Sequence, residues 1–452
     1  MKRILVANRG EIACRVIRAA HALGIEAVAV HSEADADAMH VAAADHAVAI
    51  GPAKAAESYL KAEAVLAAAR DSGADAVHPG YGFLAENERF AEAVGKAGLT
   101  WIGPRPTTIA DMGDKERARM LAHGAGVPVL PGSARFAEGD LDGLEHWGRT
   151  IGFPLLVKAS AGGGGIGMRR VDDPAQLAEV VAATQAMAAK AFGDGTIYLE
   201  KLVAPARHIE IQIFGFGDGN AVHLFERECS IQRRFQKIVE ESPAPGLKPE
   251  VRAAMAEAAL RLATQERYRG AGTVEFVVGP DQDWYFLEMN TRIQVEHPVT
   301  EMLTGVDLVQ AQIRLARGDD LADEMAQGRI AASGHAVEAR IYAEKPAMNF
   351  MPSPGPLTVL RFPEPGADLR IDTGVREGDQ VTFHYDPMIA KMVAHGPTRD
   401  AALDRLRTAL EATTIEGLST NTAFCARLMD HPAFRAGTIH TGFVAAHLDA
   451  LK

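Results

Sequence analysis

The chain has 452 residues, 47% hydrophobic and 23% charged, with a formal net charge of −12. That length allows two to four domains with substantial cores. The acidic balance excludes nonspecific nucleic-acid binding, which takes its affinity from basic patches. Cys14, Cys229 and Cys425 are far apart and form no CxxC, so neither a disulfide framework nor a structural zinc site is expected. No apolar run approaches the roughly 18 residues of a membrane helix. A cytoplasmic protein with no membrane or nucleic-acid partner is the expectation.

From 1 to 113, short apolar runs (ILVA, AVAV, AVAI, AVH, TWIG) alternate with helical stretches at 11–22 and 59–70. Such alternation predicts a Rossmann-like parallel sheet with helices on both faces, within an α/β protein. Gly10 opens the first helix but the next glycine is Gly24, so no dinucleotide fingerprint is present. Ligands of open α/β sheets gather beyond the strands' carboxyl ends, which brings the loop HPGYGFLAEN into play. Tyr81 in that loop is either a pocket residue or a turn aromatic packed on the sheet.

A second region runs from 114 to 330. Lys115 opens the helix KERARMLAHG, and Lys158 closes the apolar strand before Gly162, Gly163, Gly164, Gly165, Ile166, Gly167 and Met168. Gly162, Gly164 and Gly167 satisfy GxGxxG formally, but MRRVDD and then Pro174 follow instead of a helix, which predicts a hairpin. A glycine hairpin tip closes over phosphates through backbone N–H groups; a plain structural turn is the alternative. Two strands follow, one ending at Glu200 and Lys201. In the other, His208, Glu210 and Gln212 oppose Ile209, Ile211 and Ile213. Arg233, Arg234 and Lys237 then supply the densest local positive charge. Val251, Met255, Ala258, Ala259 and Leu262 trace an amphipathic helix.

Next comes GTVEFVVGPDQDWYFLEMNTRIQVEH, two β-rich runs around a Gly-Pro-Asp cluster, hence an antiparallel hairpin. With Pro280 to Asp283 as the loop, Gly279 pairs with Trp284, and counting outward brings Glu275 opposite Glu288. Two carboxylates ~5 Å apart at an effective dielectric of about 20 repel by roughly 3 kcal/mol. The pair calls for a cation or a shared proton. Asn290, on the same side, completes an oxygen trio suited to Mg²⁺ or Mn²⁺; a solvated strand face is the competing reading. Glu288, Asn290, Arg292, Gln294 and Glu296 share one parity, while Leu287, Met289, Ile293 and Val295 share the other and belong to the core. Fully extended, Arg292 and Glu296 would lie ~13 Å apart at Cα, so a bend is required between them.

The third region, 331–452, starts with strands such as HAVEARIYA and ends in helices from Arg399 onward. Arg340 alternates with Glu338 on an otherwise apolar strand, and a buried arginine without an anion is expensive.

Eight blocks in order, ANRGEIACRVIRA, HPGYGFLAEN, MGDKERAR, KASAGGGGIGMR, ECSIQRRFQKIVEESPAPG, FLEMNTRIQVEHPVTEM, GHAVEARIYAE and YDPMIAKM, make the chain resemble the biotin carboxylase family of the ATP-grasp superfamily over nearly its whole length. The resemblance implies an ATP-grasp core (114–330) with a mobile lid at about 131–203, between N-terminal (1–113) and C-terminal (331–452) biotin carboxylase domains. It implies ATP-dependent carboxylation of biotin on a separate carrier, using bicarbonate, with Mg²⁺ or Mn²⁺. Matching positions are Lys115, Lys158, the glycines 162–165 and 167, Met168, Glu200, Lys201, Leu202, Val203, His208 and Gln232 for ATP, and Glu275, Glu288 and Asn290 for metal. Bicarbonate maps to Lys237, Arg292, Gln294, Val295 and Glu296, with Glu296 as base; Arg340 matches the residue that holds the biotin ureido oxygen, and Tyr81 lies near the biotin pocket.

Two positions depart from the family pattern. Phe235 stands where many relatives have histidine, and Ile166 replaces a basic loop residue. The carrier's AMKM signature is absent, so biotin belongs to another chain or a further domain, and the ending resembles the α chains of acyl-CoA carboxylases. A carrier, a carboxyltransferase subunit and a homodimer or larger complex are the partners implied. Another ATP-grasp ligase, or a non-catalytic ATP-binding subunit, are the alternatives.

Overall fold

A computed structural model describes residues 1–160 and 167–452. In the N-terminal part, β1 (Arg3–Val6), β2 (Glu26–Ser32), β3 (His46–Gly51), β4 (Ala76–His78) and β5 (Thr100–Trp101) form one parallel sheet in the order β3-β2-β1-β4-β5. Its strands are apolar on both faces because both are covered. Ile4 and Val6 pack with Ile12, Val16 and Ile17 of α1 (Gly10–Ala22), whereas Leu5 and Ala7 pack with Val65, Ala68 and Phe90 on the other side. The layered α/β expectation is met.

Within the stretch expected to form a lid, β6 (Leu155–Ala159), β7 (Met168–Val171) and β8 (Ile197–Lys201) make a separate antiparallel sheet in the order β7-β6-β8, with Lys158 opposite both Met168 and Tyr198. Antiparallel pairing of β6 with β7 is what the hairpin expectation requires of the flanking strands, while Gly162, Gly163, Gly164, Gly165 and Ile166 themselves lie outside the described residues. Gly167 has φ +90°, and a Cβ there would come within 2.8 Å of the Ala159 Cβ, so a side chain would be both strained and crowded.

The largest sheet is antiparallel. It holds β9 (Arg207–Phe216), β10 (Ala221–Arg233), β11 (Gln236–Ser242), β12 (Arg269–Val278), β13 (Trp284–Asn290), β14 (His335–Tyr342), β15 (Leu369–Thr373) and β16 (Met388–Gly396), in the order β13-β12-β9-β10-β11-β14-β16-β15. One face of β9 and β12 buries Ile209, Ile211, Ile213, Val274 and Phe276 against Met255, Ala258, Ala259 and Leu262 of the helix Pro249–Gln265. Period-2 alternation then aims His208, Glu210, Gln212 and Glu275 at the opposite side. β11 pairs directly with β14, so one sheet runs across the boundary expected near residue 330.

Leu262 is fully buried in that helix-on-sheet core. Leu262→Ala is expected to cost about 3 kcal/mol of stability, seen as a lowered denaturation midpoint with turnover per folded molecule retained.

Candidate active site

Glu275 does face Glu288, but by a different route from the one counted on the sequence. The strands separate one residue earlier, with Val278 paired to Trp284, and a bulge between the Glu275 and Phe276 rungs leaves Leu287 as the extra residue. A bulge shifts register by one, which restores Glu275↔Glu288 and Thr273↔Asn290. Leu287 is consequently not a core residue as its parity suggested: it is 39% exposed and lines the cavity below. Val295 is likewise only half-buried. Ile293 and Met289 are buried as expected.

Beyond Asn290 the strand ends, and the chain bends before the helix His297–Thr304. Lys115, Lys158, Met168, His208, Gln232, Lys237, Glu275, Glu288, Asn290, Arg292, Gln294, Val295, Glu296 and Arg340 all line one cavity of about 440 Å³.

At its centre the Lys237 Nζ lies 2.7 Å from Glu210 Oε2, 2.9 Å from Glu275 Oε1 and 2.6 Å from Glu296 Oε1. Burial opposes a charge on Lys237, but Glu210, Glu275 and Glu296 outweigh it and hold the ammonium well above its ordinary pKa. Burial likewise opposes charge on Glu296; Lys237, Arg340 and Arg227 prevail and keep that carboxyl ionised, well below its usual range. Arg340 Nη2 reaches Glu296 Oε2 at 2.9 Å. Glu275 Oε1 also accepts from Asn290 Nδ2 and Gln294 Nε2, both at 2.9 Å, and Glu275 Oε2 lies 2.9 Å from His208 Nε2. Arg292 donates to Asn290 Oδ1 at 3.0 Å and Gln294 Oε1 at 2.8 Å. Glu275, Glu288 and Asn290 all line the cavity and are oxygen donors of the kind a hard divalent cation such as Mg²⁺ takes, with the Glu275 oxygens and Asn290 Oδ1 engaged here by Lys237, His208, Gln294 and Arg292.

Several expected residues stand apart. Glu200, Lys201, Leu202 and Val203 do not line this cavity, although Glu200 Oε1 accepts from Lys158 Nζ at 2.7 Å. Tyr81 packs on the first sheet and donates to Glu11 Oε2 at 2.6 Å, and it too lies outside the cavity. From the same loop it is Glu86 that reaches the site, accepting from Arg292 Nε at 2.9 Å. Of the basic cluster only Lys237 serves here, since Arg233 turns to Glu344 and Tyr342. Phe235 is 66% exposed at the cavity edge.

Sequence reasoning assigned no role to Arg227, which is fully buried and donates to Glu210 at 2.5 Å, Gln212 at 2.6 Å and Thr300 at 2.8 Å. It also passed over Glu240, whose Oε1 lies 2.5 Å from Arg340 Nη2. Strand alternation in FERECS and KIVEE was the available signal.

The lid, the antiparallel sheet and the facing glutamates together define an ATP-grasp ligase. Residues 1–109 match the family described as "Biotin carboxylase, N-terminal domain", 114–324 "Carbamoyl-phosphate synthase L chain, ATP binding domain", and 338–446 "Biotin carboxylase C-terminal domain". The chain belongs to the biotin carboxylase family. It is 47% identical to Biotin carboxylase 2 of Bacillus subtilis over 99% of both chains. It is 51% identical to the mitochondrial methylcrotonoyl-CoA carboxylase subunit alpha of Rattus norvegicus over 98% of this chain, but spans only 62% of that relative's length. Among solved structures, the biotin carboxylase domain of Hydrogenobacter thermophilus 2-oxoglutarate carboxylase, a dimer with MgADP, ADP and bicarbonate, matches at 43% identity and TM-score 0.92, covering 100% of this chain and 98% of that one. A biotin carboxylase complex from Campylobacter jejuni matches at 41% identity and TM-score 0.93 over 99% of both.

Behind Arg340, Glu240 and Glu338 face each other across β11 and β14, both fully buried. Neither oxygen of Glu338 has a hydrogen-bond partner among the described residues. Burial, followed by the Glu296 charge, pushes Glu240 up to about 7, and burial, opposed by the Lys391 cation and reinforced by the Glu240 charge, leaves Glu338 well above its usual range. A carboxyl with a raised folded pKa stabilises the fold while protonated; that contribution is full below the ordinary value of 4.5 and is lost as pH rises through about 7. Glu338→Gln, which mimics the protonated acid, is expected to lose less thermal stability than the parent between about pH 5 and about pH 8, measured as the change in Tm.

Proposed function

We propose that this chain carboxylates biotin borne on a separate carrier domain, with ATP and bicarbonate, as the first half-reaction of a biotin-dependent carboxylase. The observation that carries this reading is the meeting of Lys237, Arg292, Arg340 and Glu296 with the Glu275/Glu288 pair in one cavity. Another ATP-grasp ligase would keep the glutamates but have no use for Arg340 beside Glu296.

In this reading Lys115, Lys158 and the glycine hairpin take the phosphates, Glu200 to Val203 the adenine, and His208 and Gln232 the ribose side. Mg²⁺ or Mn²⁺ held by Glu275, Glu288 and Asn290 would neutralise charge on the phosphates. Lys237, Arg292, Gln294 and Val295 hold bicarbonate in line with the γ-phosphate, where transfer is mainly positioning and charge neutralisation.

Glu296 takes the bicarbonate proton. In the arrangement described it is too well paired to be a strong base. An anion that draws Lys237 and Arg340 onto itself removes those cations from Glu296 and raises its proton affinity where the proton arrives. Bicarbonate oxygen attacks the γ-phosphorus and ADP leaves. The carboxyphosphate formed splits to CO₂ and phosphate, phosphate takes the biotin N1 proton, and the enolate, stabilised by Arg340, attacks CO₂. Closure of the lid keeps water from the mixed anhydride. Tyr81 borders the biotin side.

The division into 1–113, 114–330 and 331–452 accompanies this assignment. A carrier, a carboxyltransferase and a homodimer or larger complex are the partners it implies, supported by the longer relatives and by the dimeric Hydrogenobacter domain. Among the described residues no helix is long and apolar enough to cross a membrane.

Bicarbonate-dependent ATP hydrolysis that rises on addition of free biotin is the expected assay result; indifference to biotin would defeat the assignment. Glu296→Ala is expected to lower that turnover by about 100-fold or more while ATP affinity, measured by titration calorimetry, holds.

A further inference from the structure

Lys391 is a fully buried lysine in the block YDPMIAKM, outside every role assigned above. Its Nζ donates to the backbone carbonyl of Val295 at 2.8 Å and lies 3.0 Å from Glu11 Oε1. The other Glu11 oxygen accepts from the Tyr81 hydroxyl at 2.6 Å. A chain of polar contacts therefore runs from the loop after β4 and the first turn of α1, through a residue of β16, to the bend in the bicarbonate loop.

The register makes the placement specific. Lys391 sits directly opposite Arg340 across β14 and β16, and directly opposite Asp372 across β15 and β16. Directly opposed residues project from the same face of a sheet. One rung thus carries two cations that grip consecutive residues of one loop: Lys391 the Val295 carbonyl, Arg340 the Glu296 carboxylate. On the far side of the bend, buried His297 closes the turn through its Nδ1 contact with the Gln294 carbonyl at 2.7 Å. Glu11 and Asp372 supply the neighbouring negative charge, Glu338 is a carboxyl whose proton affinity burial raises, and Arg340 and His297 are the basic groups beside Lys391.

This is where the extended strand must turn so that Arg292 and Glu296 meet one small anion. A backbone carbonyl in a buried bend needs a donor, and of the side chains around it the one that supplies it is Lys391.

We infer that Lys391 is a positioning residue of the bicarbonate loop: it pins the Val295 carbonyl so that the loop's inward groups converge on bicarbonate, and Glu11 holds Lys391 in place from the first turn of α1. The inference rests on the reading of this cavity as the bicarbonate site. Loss of the pin lets the loop relax by a fraction of an ångström to an ångström, enough to cost up to about 100-fold in a positioned reaction, without touching the nucleotide contacts.

The test is steady-state ATP hydrolysis by the full chain with free biotin, varying bicarbonate and ATP separately. Lys391→Met is expected to raise the bicarbonate KM by about 30-fold and Glu11→Gln by about fivefold, each leaving the ATP KM within about twofold. The double variant should be no worse than Lys391→Met alone, because both act on one contact. Equal rises in both KM values, an unchanged bicarbonate KM, or multiplicative effects in the double variant would each overturn the inference. Should Lys391→Met not fold, judged by circular dichroism, the Glu11→Gln split between the two KM values decides alone. A parent chain without bicarbonate-dependent hydrolysis would instead strike at the assignment of the cavity.

Discussion

The site depends on one buried cation shared by three carboxylates. Lys237 sits between Glu210, Glu275 and Glu296, each within 2.9 Å of its Nζ; Lys237, Glu210 and Glu275 are fixed on strands of one ladder, and Glu296 immediately precedes the helix His297–Thr304. Removing one partner of such a cluster leaves uncompensated buried charge, which costs far more than an exposed ion pair is worth. Arg227 supports Glu210 from below and Arg340 supports Glu296 from the side. The arrangement is neutralised internally, so in the proposed reading an incoming anion would have to exchange into it and thereby alter the basicity of Glu296.

The continuity of the antiparallel sheet explains how residues distant in sequence act together. Glu275 and Glu288 on β12 and β13 lie at one end of the order, and Arg340 on β14 lies several strands away, yet both belong to the same hydrogen-bonded surface. The lid strands form a sheet of their own, tied to the cavity through Lys158. In the proposed reading, a continuous sheet under the anion and a separate small sheet beside the phosphates would suit a reaction whose intermediate must be kept dry.

Much of this was legible in the residues because period-2 alternation is a local signal. The face formed by His208, Glu210 and Gln212 and the layered N-terminal sheet followed from patterning, whereas the opposition of Glu275 and Glu288 was reached by a loop count one residue off that the bulge compensates. The outward turn of Leu287 did not follow from patterning, since a bulge depends on how two strands twist together. The bend after Asn290 was inferred as a necessity, but its place is set by Lys391, more than ninety residues away in sequence, and no local pattern marks such a contact. For Arg227 the alternation in FERECS could suggest an inward side chain, but its role follows only once its acceptors on β9 and β12 are placed around it. In the loop 78–87 the aromatic drew attention, while Glu86 makes the contact with Arg292.

The hairpin tip and the Leu287 bulge together amount to two offsets that cancel. Shortening the tip by one residue, or ironing out the bulge, would each turn Glu288 and Asn290 to the wrong side of the ribbon, whereas both changes made at once would leave them where they are. The length of a remote surface turn is thereby coupled to the coordination chemistry, and the two features can change only as a pair.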